Sequence, residues 1–256
     1  MHIIVCIKSV VTAAPGGKII RTPDRCALNP FDRPPLSVAL MLKETHGGTI
    51  TVVSMGPPVA EAALREAMAI GADRAVLLCD PALAGSDTLA TAIALRAAAT
   101  HLAPFDLLLF GMRSADSDTG QVGPQTAVLL DLPMVTGVIK VERTNAGLTV
   151  KRAVDGFEET YALTMPASLT VHASAAAARD PSLGGLAEAF DTQSVEMVDI
   201  GHLNLDPHQV GESGSPTRVL SMQPIHKERT CDWIEGTPIE QADSVVTRLV
   251  DAGLIG

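Results

Sequence analysis

The stretch GGTITVVSMGPPVAEAALREAMAIGADRAVLL, Gly47–Leu78, decides the fold. Its TITVVSM portion is an apolar, β-branched run closed by Gly56-Pro57-Pro58, which reads as a buried strand ending on a turn. Val59–Ile70 then carries Ala62, Leu64 and Met68 at helical spacing, and Gly71 supplies the left-handed residue on which helices stop. Ala75–Leu78 returns to an apolar run. Two such strands joined by a helix need a crossover, so they are expected to lie parallel in a sheet covered on both faces.

The same alternation extends in both directions. His2–Ile7 predicts a buried first strand, Thr88–Leu102 an Ala-rich helix, and FDLLLFG at Phe105–Gly111 a strand apolar on both faces. The fold class is therefore α/β: a Rossmann-like parallel sheet with helices on both faces. After Asp131 the pattern changes. Val135–Val141, Gly147–Val154 and Glu159–Thr164 predict shorter strands joined by turns, followed by Pro166 and ASLTVHA. GESGSPT at Gly211–Thr217 reads as a linker. Beyond it, Thr237, Pro238 and Glu240 form the start signature of a capped helix, expected to leave the main fold and pack on a partner.

Composition narrows the function. The 256 residues are 46% apolar and 3% aromatic, so Ala, Val, Leu and Ile must fill the core. A net charge of −10 argues against a general nucleic-acid binder. The charge is uneven: the first fifty residues hold Lys8, Lys18, Arg21, Arg25, Arg33 and Lys43 against Asp24, Asp32 and Glu44, a lobe suited to a phosphate or an acidic partner. Cys6, Cys26, Cys79 and Cys231 are scattered and read as thiols of a reducing compartment, with no metal site. The N-terminus lacks a signal-peptide pattern and no apolar run is long enough to span a bilayer, so a cytoplasmic or mitochondrial-matrix location is expected.

In open α/β sheets, ligands sit beyond the C-terminal ends of the strands. Four ends qualify: Cys6–Lys8, Met55–Pro58, Leu78–Asp80 and the segment after Phe110. The last, GMRSADSDTGQVGPQTA at Gly111–Ala127, puts glycines and short hydroxyls between a strand and a helix expected at Pro124–Leu130. Its backbone amides could cradle a phosphate. Asp116 and Asp118 would repel that phosphate, so they are expected to cap backbone amides or to hold Arg113. Thr119, Gln121 and the amides of Val122 and Gly123 are left for a ligand. Neither a Gly-x-Gly-x-x-Gly nor a Walker pattern occurs, and no acid–base or nucleophile pair is visible. Cys6 reads as core packing.

Six segments in order, VCIK, LNPFDRPPLSVALMLKE, TVVSMGPPVAEAALREAMAIGADRAVLL, DLLLFGMRSADSDTGQVGPQTA, DGFEETYALTMPASLTV and RDPSLGGL, resemble the β subunit of electron transfer flavoproteins nearly end to end. The resemblance implies an adenine nucleotide alpha hydrolase-like domain over residues 1–190, with a partner-docking loop near 179–190 and Leu183 as its anchor. Residues 191–256 are implied to form a linker and an extended C-terminal arm that clasps an α subunit. It implies a nucleotide pocket formed by Cys6, Asn29, Met55, Gly56, Gly111, Arg113, Asp118, Thr119, Gly120, Gln121, Val122, Gly123, Gln125 and Thr126. One branch of the family holds AMP there and keeps its single FAD mostly in the α subunit. An electron-bifurcating branch holds a second FAD that receives hydride from NADH. The SDTGQVGPQTA run looks more like the second branch, which makes FAD the expected cofactor and AMP the alternative.

The implied role is that of an electron carrier between dehydrogenases and an acceptor such as a quinone-reducing protein, with no catalytic residue of its own. Two departures stand out: SVVTAAPGGKIIRTPDRCA replaces a longer acidic hairpin, and Asp180 and LAEAFD replace the aromatic and the basic tail around the docking leucine. A universal-stress-type ATP-binding module and a PP-loop pyrophosphatase-like enzyme are the readings from other classes. The first gives the C-terminal arm no purpose, and the second lacks its loop after the first strand.

Overall fold

The computed structural model describes residues 1–12, 20–221 and 230–255. The core of the chain is a nine-stranded sheet. Its members are β1 (His2–Cys6), β4 (Thr49–Met55), β5 (Arg74–Leu78), β6 (Leu107–Gly111), β7 (Met134–Thr144), β8 (Gly147–Val154), β9 (Phe157–Leu163), β10 (Ala167–Val171) and β11 (Val195–Val198). They run in the order β11-β5-β4-β1-β6-β10-β7-β8-β9. Seven are parallel, from β11 through β7; β8 and β9 return antiparallel. A separate two-stranded ribbon pairs β2 (Ser9–Val11) with β3 (Cys26–Leu28).

Helices α1 (Arg33–His46) and α2 (Glu61–Ile70) cover one face, where Ile3, Val5, Val52, Leu107 and Leu109 share a core with Leu36, Leu64 and Met68. Helix α3 (Thr88–His101) covers the other, over Ile4, Cys6, Val53, Leu108 and Phe110. Alternate residues of β1 and β6 thus go to opposite cores, which is why these strands are apolar on both sides. From β1 the chain builds outward to β4 and β5, then jumps back to lay β6 on β1's other side. Strand order therefore reverses beside β1, and a crevice opens there beyond the carboxyl ends.

Several expectations need correction. In α2, Leu64 and Met68 are buried as read, but Ala62 is only half-buried and Ala63 and Ala67 take the inner face. Helix α1 was not read at all; its Pro34-Pro35 pair looks like a turn, yet prolines at a first helical turn forfeit no intrahelical bond. The strands after Asp131 are not short, since β7 runs eleven residues. ASLTV is a core strand, β10, inserted between β6 and β7. The helix after the glycine-rich loop, α4 (Val122–Leu129), begins two residues earlier than expected.

The main unit extends to Val219, well past the expected boundary at 190. β11 pairs with β5, and the supposed linker packs: helix α6 (Gly211–Gly214) is followed by buried Ser215, whose hydroxyl accepts from the Asp87 amide at 2.8 Å and donates to the Gly211 carbonyl at 2.6 Å. A buried hydroxyl with two partners is a packed position, whatever the Gly/Ser/Pro composition around it suggests. The second unit, Leu220–Gly256, carries α7 (Pro238–Asp251) with the expected capping box between Thr237 and Glu240. Of the stretch read as a replaced hairpin, residues 13–19 lie outside the described residues.

Candidate functional site

At the crevice, the segment from Gly111 to Gln121 folds over the ends of β1 and β6 and is tied down by residues from far upstream. Asn29 is 1% exposed; its Nδ2 donates to the Arg113 carbonyl at 2.9 Å and its Oδ1 accepts from the Ala115 amide at 3.2 Å. Asn29, which the resemblance places in the nucleotide pocket, is thus engaged on both polar edges by the loop. The Lys8 ammonium reaches Asp116 at 2.7 Å and the hydroxyls of Ser117 and Ser114 at 3.3 and 3.5 Å. Within the loop, Asp118 takes a left-handed conformation (φ 53°), donates its amide to the Ser114 carbonyl at 2.9 Å and pairs with Arg113 at 3.2 Å. Arg113 in turn lies 4.6 Å from the Phe31 ring centroid, a cation–π distance.

Both loop acids are therefore matched by cations, Asp118 by Arg113 as expected and Asp116 by Lys8. Burial opposes the charge on Asp116, but the bonds from Lys8, Ser114 and Ser117 outweigh it and hold the carboxyl below its usual range. Beneath the loop, Asp32 is 5% exposed and accepts the Lys8 amide at 2.7 Å. Burial pushes its carboxyl up to about 7. Cys6 is also buried, and burial, with the Asp32 charge beside it, pushes its thiol well up. A neutral, inaccessible thiol is not a nucleophile, in keeping with core packing. Gly111 is required by contact: a Cβ there would overlap both Asp32 Oδ1 and the Phe31 carbonyl.

The other residues named from sequence divide into two groups. Thr119 and Gln121 are exposed at the rim, with Gln121 accepting from Thr88 at 3.2 Å. Met55 ends β4, and Gly56 follows it with its amide donating to the Leu78 carbonyl. Gln125 carries a buried Oε1 with no partner among the described residues. Thr126, by contrast, is fully buried and bonds its own helix at Val122 O, and Gly123 packs against Phe110 and Thr170. Those two shape α4 and present no side-chain group to the crevice.

On the other flank of the loop, beyond β6 and β10, lies an open depression of about 280 Å³ lined by Phe31, Met112, Arg113, Asp118, Val171 and His172. Of this wall, sequence reasoning named Arg113 and Asp118 but not Phe31, Met112, Val171 or His172; it placed Lys8 only at a strand end and Asp32 only in the charge count. The strand-end rule would have reached His172 had β10 been recognised as a parallel core strand. Lys8 stood visible as the first charge after a buried strand.

A parallel α/β sheet with a braced, glycine-containing loop over its switch point defines a chain of the Rossmann-like class. Residues 17–199 match the electron transfer flavoprotein domain family. The chain is 39% identical to an electron transfer flavoprotein subunit beta of Thermoanaerobacterium thermosaccharolyticum, with 97% of this chain and 98% of that protein covered. It is 36% identical to the subunit beta of Clostridium acetobutylicum over the same shares. With the caffeyl-CoA reductase-Etf complex subunit CarD of Acetobacterium woodii it shares 35% identity over the full length of both chains. This chain belongs to the electron transfer flavoprotein β-subunit family, and its role is in electron transfer. Among the described residues no helix is long and apolar enough to cross a membrane.

Proposed function

We propose that this chain is the nucleotide-holding subunit of a two-chain electron carrier, binding FAD at the 111–126 loop and working with an electron transfer flavoprotein α subunit. The observation that carries the reading is the brace on that loop. Asn29 fixes its backbone and Lys8 its Asp116 and Ser117 side chains at the switch point, and the cations of Lys8 and Arg113 match the acids that would repel a phosphate. Val122 and Gly123 open α4, where unpaired amides favour an anion. The orphaned Oε1 of Gln125 fits a site whose polar partner comes from a ligand.

In this reading the amides of Val122 and Gly123, with Thr119 and Gln121, hold the phosphates, and Arg113 on Phe31 offers a flat cationic wall at the loop's edge. Bound flavin supplies the electron storage; the chain's residues position it and exclude water. AMP is the second reading, because an adenosine phosphate would use the same amides. The α subunit is proposed to cover exposed apolar surface: Val128 and Leu129 beside Leu89 and Pro124, and Ile239, Val246, Val250 and Leu254 on and just beyond α7. Leu183 is proposed as the anchor for a dehydrogenase partner. The SDTGQVGPQTA run, which looks more like the bifurcating branch, favours a bifurcating carrier over a simple shuttle; the relative CarD is named as a subunit of a caffeyl-CoA reductase-Etf complex.

The test is to purify the chain with its α subunit, denature the complex and count released nucleotides by mass and absorbance. Two FAD per heterodimer supports the FAD reading. One FAD with one AMP replaces it with the shuttle, and a complex free of nucleotide in this chain refutes both.

A further inference from the structure

We propose that Asp32 is a proton-linked positioning residue of the nucleotide loop, taking up a proton when an anionic nucleotide settles at the ends of β1 and β6, so that this chain holds nucleotide more tightly in mildly acid than in mildly alkaline solution. The inference rests on the nucleotide-binding reading above.

The geometry places a carboxylate where the sheet order reverses. Asp32 closes the short turn Pro30–Asp32 and takes the Lys8 amide from the end of β1 on Oδ2 at 2.7 Å. Its Oδ1 lies against Gly111 at the end of β6, too close for any Cβ. It is therefore lodged between the two strands that root the loop. Burial pushes it up to about 7, while the Lys8 amide, the Asn29 carboxamide, the Lys8 ammonium and the Gly111 amide act the other way. The charged groups on the surrounding elements are already engaged. Just beyond β1, Lys8 is bound by Asp116, and on β1 the Cys6 thiol is held neutral. From the loop, Arg113 and Asp118 pair with each other; from α1, Arg33 pairs with Glu66.

An incoming phosphate adds negative charge to this setting. A buried carboxylate responds by favouring its neutral form, since like charges in a low-dielectric site repel strongly. Linkage then couples the two events: if the ligand promotes protonation, protonation promotes the ligand. The Lys8 amide can still donate to the carbonyl oxygen of a protonated Asp32, so the brace persists while the charge is removed.

The experiment uses the α–β complex stripped of nucleotide, with FAD and AMP as separate probes and Kd measured between pH 6 and pH 8.5. For the native chain, Kd is expected to rise severalfold across that range. For Asp32→Asn, permanently neutral, Kd should stay flat for FAD and at pH 8.5 match or better the native value. The native-to-variant ratio cancels titration of the AMP phosphate itself. A merely structural Asp32 would instead weaken binding equally at every pH, and parallel profiles overturn the proposal. If Asp32→Asn fails to assemble, calorimetry of FAD binding to the native complex at pH 7, in two buffers of different ionisation enthalpy, decides: net proton uptake supports the proposal and none overturns it. Should the native complex bind neither probe at any pH, the nucleotide-binding reading itself fails and takes this inference with it.

Discussion

Asn29 and Arg113 stand 84 residues apart in the chain and meet at 2.9 Å, the carboxamide nitrogen of one donating to the backbone carbonyl of the other. With the companion bond from the Ala115 amide to Asn29 Oδ1, this makes a side chain do what a strand ladder would do for a regular segment. Asn29→Ala leaves a carbonyl and an amide without partners beside a buried position. The expected loss is about 1–3 kcal/mol of stability. Asn29→Asp keeps the acceptor and loses the donor, so it should fall between. Urea unfolding of the three proteins, with amide exchange read at Ala115, checks the order.

Gly111→Ala tests the closeness of β6 to the turn that carries Asp32. The glycine is not called for by its backbone angles; it is called for because a methyl group would overlap Asp32 Oδ1 and the Phe31 carbonyl. Overpacking against fixed backbone typically costs about 1–3 kcal/mol. A denaturation midpoint unchanged from the native protein would refute this close approach.

The sheet's parallel core was legible because its signals are local. TITVVSM, AVLL and DLLLF are each short apolar runs with a glycine, proline or helix behind them, and periodicity reports that directly. Strand-end geometry picked out the loop at Gly111–Ala127, which the structure places at the ends of β1 and β6. What escaped depended on contacts between distant segments. Nothing near Asn29 announces that its amide faces Ala115, and nothing in GESGSPT shows that Ser215 is buried against Asp87. Helix α1 was hidden by Pro34-Pro35, a pair that reads as a breaker unless it falls in a first turn. β11 was hidden by its composition: Glu196 lies on an exposed edge strand, so the run lacks the apolar continuity of β5 beside it.

Asp32 also makes a prediction about folding, independent of any ligand. Its carboxyl is raised from 3.8 to about 7 in the folded chain, mainly by burial. Between those values the folded state holds more protons than the unfolded one. Stability contributed by this group is therefore complete below about pH 4 and is lost as pH rises through 7, at up to roughly 1.4 kcal/mol per pH unit. Asp32→Asn removes that decline. Urea unfolding at pH 5 and pH 8 should show the variant gaining on the native protein at the higher pH; a constant difference between the two would contradict the buried charge.

Thr237→Ala addresses α7, none of whose residues is buried among the described residues. A helix of this length with no buried residue depends on its ends, and here Thr237 and Glu240 satisfy one another's backbone amides. Removing the cap costs about 1 kcal/mol. The loss should be local: faster amide exchange through 238–251, with the unfolding midpoint of the Met1–Val219 unit unchanged.

Leu183, proposed as a docking anchor, offers a test that separates docking from stability. It is 87% exposed at the first position of α5 (Leu183–Asp191), a helix where a loop was expected, with Ser182 capping it by accepting the Gly185 amide at 2.9 Å. The helix itself is fixed from elsewhere. Arg65 donates to the carbonyls of Ala189 and Gln193, Arg33 to that of Arg179, and Gly185 lies against the Ala69 carbonyl with no room for a side chain. An apolar side chain displayed on so firm a mount needs no rearrangement to enter a shallow pocket, which lowers the entropic cost of docking. Leu183→Ala should therefore change unfolding free energy by less than about 0.5 kcal/mol and leave nucleotide content intact. Electron transfer to a dehydrogenase partner should slow at low partner concentration and recover at saturation, since docking is weakened and the transfer step is not. A fall in the saturated rate with unchanged half-saturation would place Leu183 in the transfer step and remove it from docking.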